Sequence, residues 1–386
     1  MAKTRPATVD LLEKLVAFPT VSRDSNLDLV RFVQARLAPL GAALTLVPDE
    51  SGRKASLCAV IGSPVPGGII LSGHTDVVPV DGQAWSSDPF RLRKAQDRLY
   101  GRGTADMKGF LAASLRAAAL AARRKLARPL HLAFSYDEEI GCVGVRPLLD
   151  ELKRRDLRPA LCIVGEPTGM EVVTRHKGKT ALRATCRGRE AHSAAAPTAL
   201  NAIHLAVDLI DRLRRRQTAL ACDGTRDPGF DVPFSTIHVG RIEGGTALNI
   251  VPGRCTVDFE FRTLAADDPA RLLDGVAADA AAIVRAMRDR FPEAAIEIET
   301  VNQYPGLAPA DDESVRLAAA LAGAAGTSAV AFGSEAGLYR EVLGVPAVLC
   351  GPGSMAQGHK ADEYVTADQL ARCDAMLDAV IDRLAA

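Results

Sequence analysis

In Gly68-Ile-Ile-Leu-Ser-Gly-His-Thr-Asp76 a short β-rich run, Gly68 to Ser72, leads directly into a histidine and an acid. Similar junctions recur along the chain. Leu130 to Tyr136 reads as a strand ending before Asp137-Glu138-Glu139, and Leu161 to Val164 as one ending before Gly165-Glu166-Pro167. Asp106, in Thr104-Ala-Asp-Met-Lys-Gly109, opens a stretch from Met107 to Leu126 with helical Ala and Leu spacing. The gaps separating His74, Asp106, Glu139 and Glu166 are 32, 33 and 27 residues. One βαβ repeat takes about 30 residues, so successive units of a parallel sheet would each bring one such residue to the same end. Ligands of open α/β sheets bind outside the carboxyl ends of the strands, and His359, in a late exit loop, joins the set.

At 386 residues the chain exceeds the size at which one core keeps growing, so two domains are expected, and 48% hydrophobic residues suffice to fill both. Lys and Arg (47) balance Asp and Glu (47), which excludes the basic surface that collects phosphates. A single Trp and 4% aromatics leave little for base stacking. A small-molecule partner is expected, with no nucleic acid and no membrane. The first residues lack the apolar core of a leader and no window reaches a membrane span, which points to the cytoplasm. Eight dispersed cysteines without a Cys-x-x-Cys pair read as buried, reduced thiols.

The remaining pattern divides the chain. Helices are expected over Val9 to Val16 and Leu27 to Leu40, the latter with Asn26 as N-cap, and a strand over Ala55 to Ile61. From Lys179 to about Ala295 the rhythm changes to strand (Thr180 to Cys186), helix (Asn201 to Gln217), strand (Phe234 to Ile242), strand (Cys255 to Arg262), helix (Pro269 to Arg290) and strand (Ala295 to Thr300). That β-α-β-β-α-β order is the split, ferredoxin-like unit. The α/β pattern resumes with a helix from Ser314 to Ala324 and a strand from Ala347 to Cys350. The fold expected is α/β: a mixed, largely parallel sheet with helices on both faces, residues 1–178 and 296–386, interrupted by an α+β insertion at 179–295. The basic run Arg212, Arg214, Arg215 and Arg216 reads as a solvated helix face, and His131, His204 and His238 as ordinary core or surface residues.

Two imidazoles and three carboxylates form a mixed N/O donor set that zinc accepts, without the thiolates of a closed structural site. If Asp106 bridges two ions, one is held by His74, Asp106 and Glu166 and the other by His359, Asp106 and Glu139, with a water shared between them. Glu138, whose side chain need not follow that of Glu139, is then the general-base candidate. Asp76 is placed to accept the second imidazole N–H of His74.

These segments, Gly73-His-Thr-Asp-Val-Val-Pro79, Gly101-Arg-Gly-Thr-Ala-Asp-Met-Lys-Gly109, Asp137-Glu-Glu-Ile-Gly141, Gly165-Glu-Pro-Thr168 and the late His359, resemble the acetylornithine deacetylase and succinyl-diaminopimelate desuccinylase family of co-catalytic zinc amidohydrolases over essentially the whole chain. The resemblance implies two Zn2+ per subunit, replaceable by Co2+, and a catalytic domain carrying a lid that forms a homodimer. It supports the ligand pairing and Glu138 as base. It further implies that His192, in Gly188-Arg-Glu-Ala-His-Ser193, reaches the partner subunit's site to stabilise an oxyanion, and that Asn249 and Arg262 hold the substrate carboxylate, although Arg262 taken alone reads equally as a strand-surface ion pair. Ser334-Glu335 and the segment Leu349 to Tyr364 look most like the acetylornithine deacetylase branch, with Glu335 expected to recognise a distal ammonium. The activity implied is removal of acetyl from N2-acetyl-L-ornithine in arginine biosynthesis. The alternatives are another N-acyl amino acid, such as acetylcitrulline or succinyl-diaminopimelate, or a non-catalytic dimeric binding relative.

Overall fold

The structure, a computed structural model, describes residues 6–386; the first five residues, part of the stretch read for a leader, lie outside it. The chain divides into two compact units, one formed by residues up to 175, 307–329 and 334–386, the other by 176–306 with 330–333. The second unit thus begins near the expected boundary at 179 but extends past 295. The strand Ala295–Tyr304 pairs antiparallel with Gly178–Arg187 along its length, so the insertion cannot end at the first residue of that strand.

The first unit is built on an eight-stranded sheet. Its central strands, Leu130–Ser135, Ile69–His74, Leu161–Val164 and Ala347–Leu349, run parallel to one another, while Ala55–Ile61 pairs antiparallel with both Leu130–Ser135 and Ala43–Pro48 at one side. Every residue of the four central strands is buried, as expected for strands covered by helices on both faces. Val, Ile and Leu dominate them for that reason. The helix Lys108–Ala121 is buried except at Ala119 and Leu120, with Phe110, Leu111 and Ala117 fully buried, and packs against Pro6–Val16 and the C-terminal helix Ala367–Ala385. A buried polar tie joins the same helices: Thr8 Oγ1 donates to Asp374 at 2.8 Å, and Arg116 Nε donates to the same carboxylate at 2.8 Å.

Local expectations held in the middle of elements and moved at their ends. The helix at Met107 stops at Ala121, and the Leu27–Leu37 helix closes through a 3-10 turn. Asn26 does not cap that helix. Its amide is taken by the sheet instead, donating to Ala55 O and Thr75 Oγ1 and accepting from Ala55 N, each at 2.9 Å. Seven of the eight cysteines are buried, Cys222 is exposed, and all eight are unpaired.

The second unit has the expected order of elements. Its four-stranded sheet is ordered Thr236–Gly244, Arg254–Thr263, Gly178–Arg187 and Ala295–Tyr304, all antiparallel. Gly178–Arg187 and Arg254–Thr263 alternate buried and part-exposed residues, placing Leu182, Ala184, Val257, Phe259 and Phe261 under the helices Ala202–Asp223 and Pro269–Met287. The basic run lies on the first of these helices, where Arg215 pairs with Asp211 and Arg216 with Asp279 at the surface.

Candidate metal centre

Parallel, nearly in-register strands end at a common level, and this carries residues distant in sequence to one edge. Ile69 is level with both Leu130 and Leu161, and Ala347 with Cys162. His74 is the last residue of its strand. Glu138 and Glu139 follow Leu130–Ser135, Glu166 follows Leu161–Val164, and Asp106 precedes the buried helix from Lys108. Glu166 can emerge there because its neighbour is glycine: a Cβ at Gly165 would lie 1.9 Å from the ring of Phe110.

His74 Nε2 lies 3.0 Å from Asp106 Oδ1, and His359 Nε2 lies 3.2 Å from Asp106 Oδ2 and 3.0 Å from Glu139 Oε2. Each oxygen of one aspartate thus faces a different imidazole. Donor atoms of His74, Asp106 and Glu139 fall within 4.8 Å of one another, and so do those of His74, Glu138 and Glu166. His74, Asp106 and Glu166 are buried, whereas the His359 side chain is 43% exposed and marks the solvent side. Glu139 Oε1 and Glu166 Oε1 are buried with no hydrogen-bond donor, a costly state for a carboxylate unless a cation faces it. The donor set therefore fits divalent metal.

The electrostatics of the metal-free chain point the same way. Burial pushes the carboxyls of Glu138 and Glu166 well above the usual range, and burial with the neighbouring Asp106 charge raises Glu139 to about 7. Hydrogen bonds to Asp106 and Glu139 raise His359 to about 10. Burial opposes the charge on His74, but Asp106 and Asp76 outweigh it and hold its pKa well above normal. So many acids crowded in a dry site retain protons or borrow them from imidazoles until positive charge replaces them.

Asp76 acts differently from expectation. The nearest acceptor to His74 Nδ1 is the backbone carbonyl of Asp76 at 3.0 Å, with the carboxylate at 3.6 Å. That carboxylate instead accepts the N–H groups of Glu138 at 3.1 Å and Glu139 at 3.3 Å and the Ser22 hydroxyl at 2.7 Å. It anchors the acidic turn. Lys54 supports the turn from the other side, its Nζ 2.6 Å from both oxygens of Asp137 and 2.5 Å from Ser22 O. Asp137 has φ +54, so its backbone is held where non-glycine residues seldom rest. Nothing local in the sequence marks Lys54 or Ser22, because both act across long separations.

Ser334 and Glu335 are both buried. Ser334 Oγ accepts from Ala336 N at 3.1 Å and starts the helix Ala336–Leu343, and Glu335 is 1% exposed. Its carboxyl accepts from Ser135 Oγ and, at 3.3 Å, from Ser72 Oγ, which also donates to Tyr339 Oη at 3.0 Å. A carboxyl so enclosed has no face left for a solute ammonium.

The three residues expected in the lid lie in the second unit. His192 pairs with Ile250 in a short antiparallel bridge, and Asn249 O accepts from Ser193 N at 2.9 Å, so these two are neighbours at an exposed turn. His192 Nδ1 accepts from Ala194 N at 3.2 Å. Arg262 lies on the strand Arg254–Thr263, where its Nε donates to Glu260 Oε1 at 2.9 Å in a part-buried ion pair.

Comparison with known proteins bears on the family. The model of peptidase family M20/M25/M40 matches residues 70–383. An acetylornithine deacetylase of Myxococcus xanthus is 36% identical over 98% of this chain and 97% of its own. Among solved structures, an M20 family metallo-carboxypeptidase of Sulfolobus solfataricus superposes with a TM-score of 0.77 at 19% identity, covering 99% of both chains. A dinuclear metal binding peptidase of the same family from Bacillus subtilis superposes with a TM-score of 0.66 at 15% identity, covering 98% of this chain and 97% of its own. The chain belongs to peptidase family M20/M25/M40 and is a metal-dependent amidohydrolase.

Proposed function

We propose that the protein is a dinuclear zinc deacylase that converts N2-acetyl-L-ornithine to L-ornithine and acetate for arginine biosynthesis. The observation that carries the dinuclear part is the split allegiance of Asp106, one oxygen toward His74 and the other toward His359. Likeness to the Myxococcus enzyme supports the substrate. His74, Asp106 and Glu166 would hold one cation, and His359, Asp106 and Glu139 the other. What such a pair supplies when bound is Lewis acidity toward the amide carbonyl and acidity of water near neutral pH.

The chain's own groups carry the proton work. Glu138, in the same cluster as His74 and Glu166, takes the proton of the attacking water at its carboxylate and returns it to the leaving nitrogen. Asp76 and Lys54 keep the Glu138 turn in place. From the second unit, His192 of a partner subunit stabilises the oxyanion, while Asn249 and Arg262 bind the substrate carboxylate; this requires a homodimer, and it requires Arg262 to exchange Glu260 for substrate. Eight unpaired thiols suit a cytoplasmic enzyme, and no helix among the described residues is long and apolar enough to cross a membrane.

With Glu335 enclosed, selectivity for ornithine must come from other residues. The test is a panel of acetylornithine, acetylcitrulline, acetylnorvaline and succinyl-diaminopimelate, assayed after chelation and after reconstitution with zinc or cobalt. Acetylornithine should show the highest kcat/KM and should depend on added metal. Equal turnover of acetylnorvaline would refute the ornithine assignment, and metal-independent turnover would refute the mechanism.

A further inference from the structure

Asp106 and His359 both lie in loops outside the regular elements. Resting on the dinuclear reading above, we infer that Glu363, Arg102 and Gln83 form a clamp that positions these two ligands, with Glu363 setting Asp106 and Gln83 setting His359. Glu363 and Arg102 are each 1% exposed, and Arg102 Nη1 donates to Glu363 Oε2 at 2.7 Å. The same oxygen accepts Gly103 N at 3.1 Å, and Oε1 accepts Ala105 N at 2.9 Å and Asp106 N at 3.0 Å. One carboxylate, four residues beyond His359, therefore holds three backbone N–H groups, of Gly103, Ala105 and Asp106, in the loop that presents Asp106.

The second arm runs through Gln83. Its Oε1 accepts Arg102 Nη2 at 2.5 Å, and its Nε2 donates to His359 O at 3.0 Å. His359 has φ +61, a conformation that costs a non-glycine residue on the order of 1–3 kcal/mol and persists only where surroundings impose it. Arg102 adds a contact from Nη1 to Lys360 O at 3.3 Å, and its guanidinium sits 5.0 Å from the centre of the Trp85 ring. None of these three side chains is itself a donor to the metal. They are positioning residues, acting on metal through Asp106 and His359.

The two arms make different demands on the metal. Asp106 serves both cations, whereas His359 serves one. Glu363→Gln puts an amide N–H against backbone or guanidinium donors whichever way it turns, so it should weaken both sites. Gln83 is partly exposed and Gln83→Ala leaves the buried pair intact, so it should weaken one site and spare the other. Loss of a group that orients a metal ligand lowers affinity about 10- to 100-fold.

The experiment is a titration of the metal-stripped full chain with cobalt, read by calorimetry and by the visible spectrum of bound cobalt. Wild type should take two ions. In Gln83→Ala one of the two affinities should fall about tenfold or more with the other unchanged, and in Glu363→Gln both should fall. Isotherms of a folded Gln83→Ala that coincide with wild type overturn the clamp, whatever the fate of Glu363→Gln, which can fail to fold. A wild-type chain that binds no cobalt overturns the dinuclear reading itself and the clamp with it.

Discussion

Replacing Glu335 with Gln isolates the cost of a charge on a carboxyl enclosed by Ser72 and Ser135. The carboxyl is buried at 1% exposure and burial raises its pKa from the ordinary 4.5 to about 7. Because the folded pKa is raised, the stability linked to this group is fully present below pH 4.5 and is lost as pH climbs through about 7. At about 1.4 kcal/mol per unit, the shift from 4.5 to about 7 costs the fold about 3 kcal/mol at pH 8, where the carboxyl is ionised, and about 1 kcal/mol at pH 5, where the folded carboxyl keeps its proton. Glu335→Gln keeps the shape and removes the charge. Urea unfolding of metal-stripped protein can be followed through Trp85, the only tryptophan, which lies in the unit that holds the site. The stability of the variant relative to wild type should rise by about 2 kcal/mol between pH 5 and pH 8. An offset that stays constant over this range would refute the reasoning, since it would mean that Glu335 does not titrate there.

Glu138→Gln should lower kcat by about 10²- to 10⁴-fold while two metal ions remain bound, as measured by steady-state assay and metal analysis on the same sample. Lys54→Met removes the partner of Asp137 within a pair whose side chains are only 15% and 10% exposed; unfolding midpoints should show a loss of about 3 kcal/mol, and kcat should fall more than KM changes because the Glu138 turn loosens. Gly165→Ala forces a methyl group into the Phe110 ring and should cost about 1–3 kcal/mol in urea unfolding, with weaker metal uptake because Glu166 moves.

Much of the site could be read in advance because it depends on strand ends. A parallel sheet turns even spacing in sequence into proximity in space, and His74, Glu139 and Glu166 follow from that rule together with short apolar runs such as Leu161–Val164, while Asp106 is signalled by the helical Ala and Leu spacing that it precedes. The inserted unit was legible for a similar reason: alternating apolar residues in Gly178–Arg187 and Arg254–Thr263 announce one covered face. What sequence could not disclose is where polar side chains find partners far along the chain. Asn26 has the right position for a cap, but Ala55 and Thr75 compete for its amide more effectively. Glu335 follows a serine in a motif that looks like substrate contact, yet Ser72 and Ser135, 263 and 200 residues away, close around it. The strand Ala43–Pro48 and the helix Val145–Arg154 also went unread. The first is an edge strand with mixed exposure, and the second is short and charged, buried only through Val145, Leu148, Leu149 and Leu152.

The proposed dinuclear centre requires Asp106 to join two cations. Diffraction from zinc-loaded crystals at wavelengths on either side of the zinc absorption edge addresses this directly. Two anomalous peaks about 3.5–4 Å apart are expected, one on each side of the Asp106 carboxylate, the first beside His74 and Glu166 and the second beside His359 and Glu139. A single peak, or two peaks that do not share Asp106, would contradict it.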